Sequence, residues 1–193
     1  MEKATKRQLF HLVLGLLIVL LIYLDLLTAF LIGIVILIGL ILSFVTRRYR
    51  IPVIDWFLQT FERDEDIKQI PGKGVIFMFV GAFIMVFFFP KNVALASMII
   101  LALGDSIAPL FGRYGKIRHP FSKRKFLEGA IVGFIAAFLG AMLFVEANAA
   151  LFAALAAMII EGIDLELRIN PLDDNVVMPL VAGIVILLTK IIF

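Results

Sequence analysis

LLTAFLIGIVILIGLILSFV, residues 26–45, is a run of twenty residues without a charged side chain. A helix of about twenty apolar residues crosses the roughly 30 Å hydrocarbon core of a bilayer. The rest of the chain has a similar character, since 63% of its 193 residues are hydrophobic. A soluble protein with buried helices would need polar helix faces that this chain lacks. The sequence therefore predicts an all-α, polytopic membrane protein.

Alternation of apolar and polar segments predicts about seven transmembrane helices in a single domain, residues 1–193. The expected helices cover about 8–24, 26–45, 74–89, 93–111, 127–145, 148–162 and 176–193. Three connections are tight, and three are longer polar segments at 46–73, 112–126 and 163–175. No internal repeat divides the chain. The first helix is expected to stay in the mature protein, because its apolar run is too long for a signal peptide and no cleavage site follows it.

Charge predicts the orientation of the helices. Of the 18 lysines and arginines, all but Lys91 and Lys190 lie in the N-terminus or the three longer polar segments. The positive-inside rule then places the N-terminus in the cytoplasm and the C-terminus outside, which an odd number of spans permits. We expect a multi-pass protein of a prokaryotic cell membrane whose polar site faces the cytoplasm, in contact with membrane lipids.

Composition narrows the possible partners. The net charge of +3 is weak evidence about nucleic acid, because the basic residues flank the membrane spans, and no nucleic-acid partner is expected. The chain has no cysteine, which excludes disulfides and thiolate metal sites. The oligomeric state is not predicted by any feature of the sequence.

Asp105 lies within the fourth predicted span, in Gly104-Asp105-Ser106-Ile107-Ala108-Pro109. A carboxylate at membrane depth is costly and is by default a functional group. Pro109 cannot donate a hydrogen bond to the Asp105 carbonyl, so a kinked or broken helix is expected there. The alternative is a kink used for packing, with Asp105 paired to a nearby lysine or arginine.

The segment after Asp105 is basic and contains Gly112-Arg113-Tyr114-Gly115-Lys116 and Ser122-Lys123-Arg124-Lys125-Phe126-Leu127-Glu128-Gly129. Glycines let backbone amides approach an anion, and lysines and arginines donate to phosphate oxygens. A neighbouring carboxylate could hold Mg²⁺ that bridges phosphates. The alternative is a basic loop that sets topology or contacts anionic lipids.

The seventh predicted helix begins beside Asp173, Asp174 and Asn175. One of these residues would suffice to cap the helix. Three consecutive oxygen-bearing side chains exceed that need, so they could complete a magnesium site or supply a base.

Arg7 and His11 share a face of the first helix because they are four residues apart. Thr5 and Gln8 fit a capping box at its start. Arg7 can be a membrane-boundary marker, whereas a histidine in the first turns of a membrane helix usually faces a partner.

Two further patterns are structural. Ile54, Phe57, Leu58 and Phe61 share one face of a predicted short interfacial helix. Gly129, Gly133, Ala137 and Ala141 recur every four residues, which predicts close packing of the fifth span on a neighbour.

These motifs together resemble the CTP-dependent polyprenol kinases, the family of dolichol kinase and phytol kinase. The family pattern appears as Asp105-x-x-Ala108, Gly112-x-x-Gly115-Lys116, the basic run that ends in Glu128-Gly129, Arg7-x-x-x-His11 and Asp174-Asn175-x-x-x-Pro179. The chain departs from it at Gln8, Arg124 and Phe126, where the family usually has Lys, Lys and Thr. The basic run is also similar to that of phosphatidate cytidylyltransferases.

The resemblance implies transfer of the γ-phosphate of CTP to the terminal hydroxyl of a long isoprenoid alcohol within the bilayer. The alternative is a cytidylyltransferase that makes a CDP-activated lipid, and a non-enzymatic transporter or scaffold is a third possibility. Lys116, Lys123, Arg124 and Lys125 are assigned to the triphosphate, with Arg7, Ala108, Gly112, Gly115, Gly129 and Asn175 also at the nucleotide. Asp105, Glu128, Asp173 and Asp174 are the candidate Mg²⁺ ligands. The base is Asp105, Asp174 or His11.

Overall fold

The protein is a bundle of helices in the computed structural model, which describes residues 2–120, 122, 125–163 and 173–192. Within these ranges there are nine helices: α1 Lys3–Tyr23, α2 Ala29–Thr46, α3 Pro52–Phe61, α4 Asp64–Gln69, α5 Lys73–Phe88, α6 Lys91–Gly112, α7 Leu127–Ala141, α8 Ala147–Gly162 and α9 Asp174–Ile192. Seven of them correspond to the predicted long helices. The two short ones, α3 and α4, lie within the predicted 46–73 connection.

Four helices, α1, α2, α6 and α9, are long and apolar enough to cross a membrane. Helices α5, α7 and α8 are also apolar but have 15 or 16 residues. The prediction of a helical membrane protein is therefore supported by the length and composition of these helices.

Helix α6 is the central helix of the bundle. Every residue from Val93 to Ala102 is buried, and α6 packs against α1, α5, α7, α8 and α9. A helix that is apolar on all sides satisfies all its backbone groups internally and can occupy the middle of a membrane protein. The packing around α6 consequently sets where its last turns, including Asp105, lie.

Small residues bring α6 and α7 into close contact, as their four-residue spacing predicts. A Cβ added to Gly129 would lie 2.3 Å from the carbonyl oxygen of Ala108, and one added to Gly133 would lie 2.9 Å from the Ala108 Cβ. Ala137 and Ala141 are fully buried. The contact between α6 and α7 is therefore made by closely approaching backbones and not by large side chains.

The predicted interfacial helix is α3, and it packs on the start of α1. The Phe10 ring lies 5.0 Å from the Phe57 ring and 5.1 Å from the Phe61 ring. Leu58 is buried and Trp56 is exposed. The apolar face of α3 is thus used against α1, and its opposite face points outward.

Two predictions about helix geometry are wrong: the break in α6 and the capping box of α1. Helix α6 continues through Pro109 to Gly112, so it is not broken there, and a kink at Pro109 stays a prediction. Helix α1 begins at Lys3 with Glu2 at its N-cap and has no side-chain cap, whereas Thr5 accepts a hydrogen bond from Arg113 over 2.9 Å. Thr5 forms a tertiary contact because Arg113, which directly follows α6, lies beside the first turns of α1.

Candidate functional site

Most charged residues of the described chain lie at one end of the bundle. The starts of α1, α5, α7 and α9 meet the ends of α6 and α8 there, together with α3 and α4. We call this the charged end and define it by Arg7, His11, Glu62, Arg63, Lys73, Asp105, Lys125, Glu161, Asp173 and Asp174. The position of these residues at one end agrees with the prediction that the N-terminus and the longer polar segments share one side.

Asp105 and Asp174 converge from helices far apart in the sequence. A Cβ on Gly104 would lie 3.7 Å from the Met178 side chain, so the last turns of α6 face the first turns of α9. The two carboxylates are close enough to repel one another. Both are partly buried, and neither forms a hydrogen bond or ion pair with a described residue. Two partly buried carboxylates without a partner in the described ranges are costly and need a cation or a proton.

Asp173 caps α9. Of the two roles considered for residues 173–175, capping the helix or completing a magnesium site, capping is the one observed for Asp173. Its Oδ1 accepts hydrogen bonds from the Asn175 backbone N–H at 3.1 Å and from the Asn175 Nδ2 at 2.6 Å. Its Oδ2 lies 3.6 Å from the Lys73 Nζ. These contacts engage the oxygens of Asp173, whereas Asp174 forms no hydrogen bond or ion pair with a described residue.

Asn175 retains an unused acceptor. The residue is buried, and its Oδ1 has no hydrogen-bond partner among the described residues. A buried amide oxygen without a partner costs free energy. Asn175 directly follows Asp174 in the sequence.

Glu128 organises the loop after α6. Its Oε1 accepts the backbone N–H groups of Lys116 at 2.7 Å and Ile117 at 3.1 Å. A Cβ on Gly115 would lie 2.7 Å from the Glu128 Oε2, so glycine allows this approach. Lys116 is exposed. The contacts of Glu128 are therefore with its own loop, and its predicted role at Mg²⁺ stays a prediction.

Lys125 is paired with a buried acid that the sequence analysis left without a role. Its Nζ lies 2.8 Å from the Oε1 of Glu161 and also donates to the Glu161 carbonyl oxygen. Glu161 is 3% exposed and interacts electrostatically with Asp105. The pair therefore places a lysine of the basic run close to Asp105. Lys123 and Arg124, its predicted companions, lie outside the described residues.

Ala108, Gly112 and Gly129 form the contact between α6 and α7. A Cβ on Gly129 would come within 2.6 Å of the Gly112 Cα, and all three residues are buried. Their small size serves helix packing. Direct contact of these residues with a nucleotide stays a prediction.

Arg7 and His11 lie at the charged end on one face of α1. A Cβ on Gly74 would lie 2.9 Å from the His11 ring, which places His11 against the start of α5. Arg7 interacts electrostatically with Asp105, and His11 with Asp173. Gln8 is buried, and its Oε1 is unpartnered among the residues that the structure covers. The structure thus brings the α1 motif to the same site as Asp105 and Asp174.

The connection between α3 and α5 carries site residues that sequence reasoning missed. Glu62 is buried, and its Oε1 accepts the backbone N–H of Gly74 at 3.0 Å. Burial raises the pKa of the Glu62 carboxyl, which the hydrogen bond from Gly74 opposes. The Lys73 Nζ lies 3.8 Å from the Asp66 Oδ1. The sequence feature that could have indicated these residues is the cluster of charges after the amphipathic helix α3.

The oxygen donors of the site suit a Mg²⁺ ion that is held jointly by one or two carboxylates and by substrate phosphates. No group of three histidine, aspartate or glutamate side chains is arranged for a metal in the described ranges. Mg²⁺ in phosphoryl-transfer sites usually needs only one or two carboxylates plus substrate phosphates. Asp105 and Asp174, with the unpartnered oxygen of Asn175, are residues that match this requirement.

Comparison with known proteins shows the family but no activity. The chain is 31% identical over 187 residues to the uncharacterized protein MJ1137 of Methanocaldococcus jannaschii, covering 93% of this chain and 91% of that protein. The chain therefore belongs to the same family as this archaeal protein. No protein-family model matches the chain, and no solved structure matches it.

Proposed function

We propose that this protein is a membrane lipid kinase that transfers the γ-phosphate of CTP to the terminal hydroxyl of a long isoprenoid alcohol. In this proposal seven helices cross the membrane, the N-terminus is cytoplasmic and the charged end faces the cytoplasm. The distribution of lysine and arginine supports the orientation. The sequence resemblance to polyprenol kinases supports the choice of CTP and of the acceptor.

One observation carries the proposal. Asp105 and Asp174 come together from α6 and α9 without forming an ion pair with any described residue, and Lys125 and Arg7 lie within electrostatic range of Asp105. Phosphoryl transfer requires positioning and charge neutralisation more than covalent chemistry. Unpaired acids beside basic groups supply both requirements, since the acids suit a divalent cation and the basic groups suit phosphate oxygens.

The reaction assigns a role to each group. The alcohol oxygen attacks the γ-phosphorus, the bond from that phosphorus to the β-phosphate bridging oxygen breaks, and CDP leaves. The alcohol proton passes to Asp105, Asp174 or His11. Mg²⁺ held by Asp105 and Asp174 would neutralise negative charge on the phosphates. Lys125 would stabilise the phosphate oxygens, exchanging Glu161 for the nucleotide.

The fold suits an acceptor that is itself a membrane component. Apolar side chains on the outer surfaces of α1 and α2, such as Leu20 and Phe44, are exposed, as expected of lipid-facing helices. The isoprenoid tail would lie among such surfaces in the bilayer. The hydroxyl would then reach the charged end at headgroup level.

A product assay tests the proposal. The purified protein in lipid nanodiscs is incubated with Mg²⁺, a long-chain polyprenol and either CTP or ATP, and the products are identified by mass spectrometry. The proposal expects CDP and polyprenyl monophosphate, with CTP preferred. Pyrophosphate together with a cytidyl lipid, formed when phosphatidic acid replaces the alcohol, would establish a cytidylyltransferase instead. Absence of any nucleotide-dependent product with either acceptor would contradict both.

The assay has a matched control within the chain. Asp105→Asn removes a charge at the charged end, and Asp25→Asn removes one at the opposite end, where Asp25 pairs with Lys91 over 2.6 Å. Asparagine tolerates the left-handed backbone of Asp25, φ 58°. Equal activity of the two variants would remove Asp105 from the mechanism.

A further inference from the structure

Two arginines from different parts of the chain face the same space at the charged end. Lys3 Nζ lies 2.5 Å from Asp64 Oδ1, and the Phe10 ring lies 5.1 Å from the Phe61 ring. Lys3 and Phe10 are four residues before and three residues after Arg7, so all three lie on one face of α1. Arg7 lies between Lys3 and Phe10 on this face, and their partners are residues 64 and 61. Arg7 therefore faces residues 62 and 63.

The two guanidinium groups are not in direct contact with any described acid. Arg7 and Arg63 are close enough to repel one another, and Glu62, Asp66 and Asp105 attract Arg7 from a distance. Within the described chain, however, neither arginine forms a hydrogen bond or an ion pair. Arginine groups near carboxylates ordinarily form bidentate pairs. Two guanidinium groups left unpaired beside one another are instead typical of a site for a multivalent anion.

The position of Arg63 is fixed by its neighbours in the sequence. Glu62, which is 6% exposed, accepts the Gly74 backbone N–H. Lys73 connects this region to Asp173, the cap of α9, over 3.6 Å. The same segment therefore anchors Arg63 beside α1 and braces the helix that carries Asp174. Arg63 itself is exposed and free to contact a ligand.

Arg63 also lies within electrostatic range of the carboxylate pair. It interacts with both Asp105 and Asp174. A phosphate group between the arginines and a cation on the acids would balance both sets of charges. Arg63 is absent from the motifs that carry the family resemblance, so the structure alone points to it.

We infer that Arg7 and Arg63 together bind a phosphate group beside Asp105 and Asp174, so that the connection between α3 and α4 supplies part of the active site. The inference rests on the proposed function. The phosphate is either the terminal part of the nucleotide or the headgroup of the phosphorylated lipid product. Both present the tetrahedral oxyanion that a guanidinium fork recognises.

Binding measurements with two substitutions of Arg63 test this inference. Arg63→Gln and Arg63→Lys are prepared in phosphatidylcholine nanodiscs, with Arg48→Gln as the control because Arg48 is an exposed arginine at the end of α2. The ligands are CTP, inorganic pyrophosphate and farnesyl monophosphate, each with Mg²⁺. Thermal unfolding of each variant verifies the fold, and an exposed position should leave the unfolding midpoint unchanged.

Arg63→Gln is expected to raise the Kd of at least one of these ligands about tenfold, the size of one charge-assisted interaction. Arg63→Lys should restore part of the loss, and Arg48→Gln should bind like the unsubstituted protein. Weakened binding of CTP and pyrophosphate identifies the nucleotide as the source of the phosphate. Weakened binding of farnesyl monophosphate alone identifies the product headgroup. Unchanged Kd values for all three ligands would contradict the inference.

Turnover of the unsubstituted protein separates this inference from the proposed function. If the protein binds phosphate ligands through Arg63 but transfers no phosphoryl group, the kinase proposal fails and the anion site stands. If the protein is an active kinase and Arg63→Gln leaves both Kd and KM unchanged, the kinase proposal stands and the anion site fails.

Discussion

The two ends of the bundle differ in whether their acidic side chains are exposed and paired. At the far end, Lys91 and Asp25 form a 2.6 Å pair with side chains 45% and 78% exposed. At the charged end, Asp105 and Asp174 lie partly buried, close to one another and without such a pair in the described chain. An exposed pair gains little stability because water screens it. Partly buried charges without a partner in the described chain cost stability, and for this reason we propose that a ligand uses these two acids.

The largest expected effect is on activity at these two ends. Asp174→Asn should lower transfer from CTP to polyprenol by about a hundredfold or more, the usual cost of losing one group that stabilises a transition state. Asp25→Asn should stay within about twofold, because an exposed ion pair contributes about 0–1 kcal/mol. Initial rates at saturating CTP measure both. Similar rates for the two variants would abolish the functional distinction between the ends.

The next effect concerns the packing that positions Asp105. Gly129→Ala should lower the free energy of unfolding by about 1–3 kcal/mol, the cost of overpacking, because its Cβ would meet a backbone oxygen at 2.3 Å. Gly33→Ala is the control, since its Cβ would lie 3.8 Å from Phe83. Thermal unfolding in one detergent compares them. A Gly129→Ala midpoint equal to that of Gly33→Ala would mean that the α6–α7 contact is looser than described.

A smaller effect is expected from the ion pair between Lys125 and Glu161 at the charged end. Lys125→Met leaves the Glu161 carboxylate, 3% exposed, without its cation and should destabilise the protein by about 1–2 kcal/mol. This value is discounted because Lys125 is 30% exposed. Adding Glu161→Gln should recover most of the loss, and exposed Lys116→Met should be neutral. Additive losses in the double variant would show that the pair is not coupled.

The smallest effect is a pH dependence that differs in sign between two neighbouring acids. Burial raises the pKa of Glu62, so its favourable contribution is complete below the unfolded-state pKa and is lost as the pH rises through the folded-state pKa. A hydrogen bond from Lys3 lowers the pKa of Asp64, so its contribution is present above the unfolded-state pKa and is lost as the pH falls through the folded-state pKa.

Unfolding midpoints between pH 3 and 8 should therefore change in opposite directions. Raising the pH should destabilise the unsubstituted protein relative to Glu62→Gln and stabilise it relative to Asp64→Asn. Parallel curves for Glu62→Gln and the unsubstituted protein would show that Glu62 is solvated in solution.

Much of this architecture is predictable from local patterns. The seven long helices were predicted because apolar runs and polar breaks are properties of the sequence itself. The close α6–α7 contact followed from small residues at four-residue spacing, such as Gly129 and Gly133. The α6 break was predicted wrongly, because a proline removes only one hydrogen bond and the packing of α6 against five other helices lets the helix continue through Pro109.

The composition and order of the segments by themselves determined a helical bundle with most of its charged residues at one end. Hydropathy marks the helices, and because successive helices run in opposite directions, every second connection lies at the same end. The tertiary structure alone decided which polar residues meet. Asp173 pairs with Lys73, Glu128 accepts from its own loop and Glu161 pairs with Lys125, whereas Asp105 and Asp174 keep no such partner in the described chain. The rotation and packing of each helix, which are non-local, control these distances and bring Arg63 opposite Arg7.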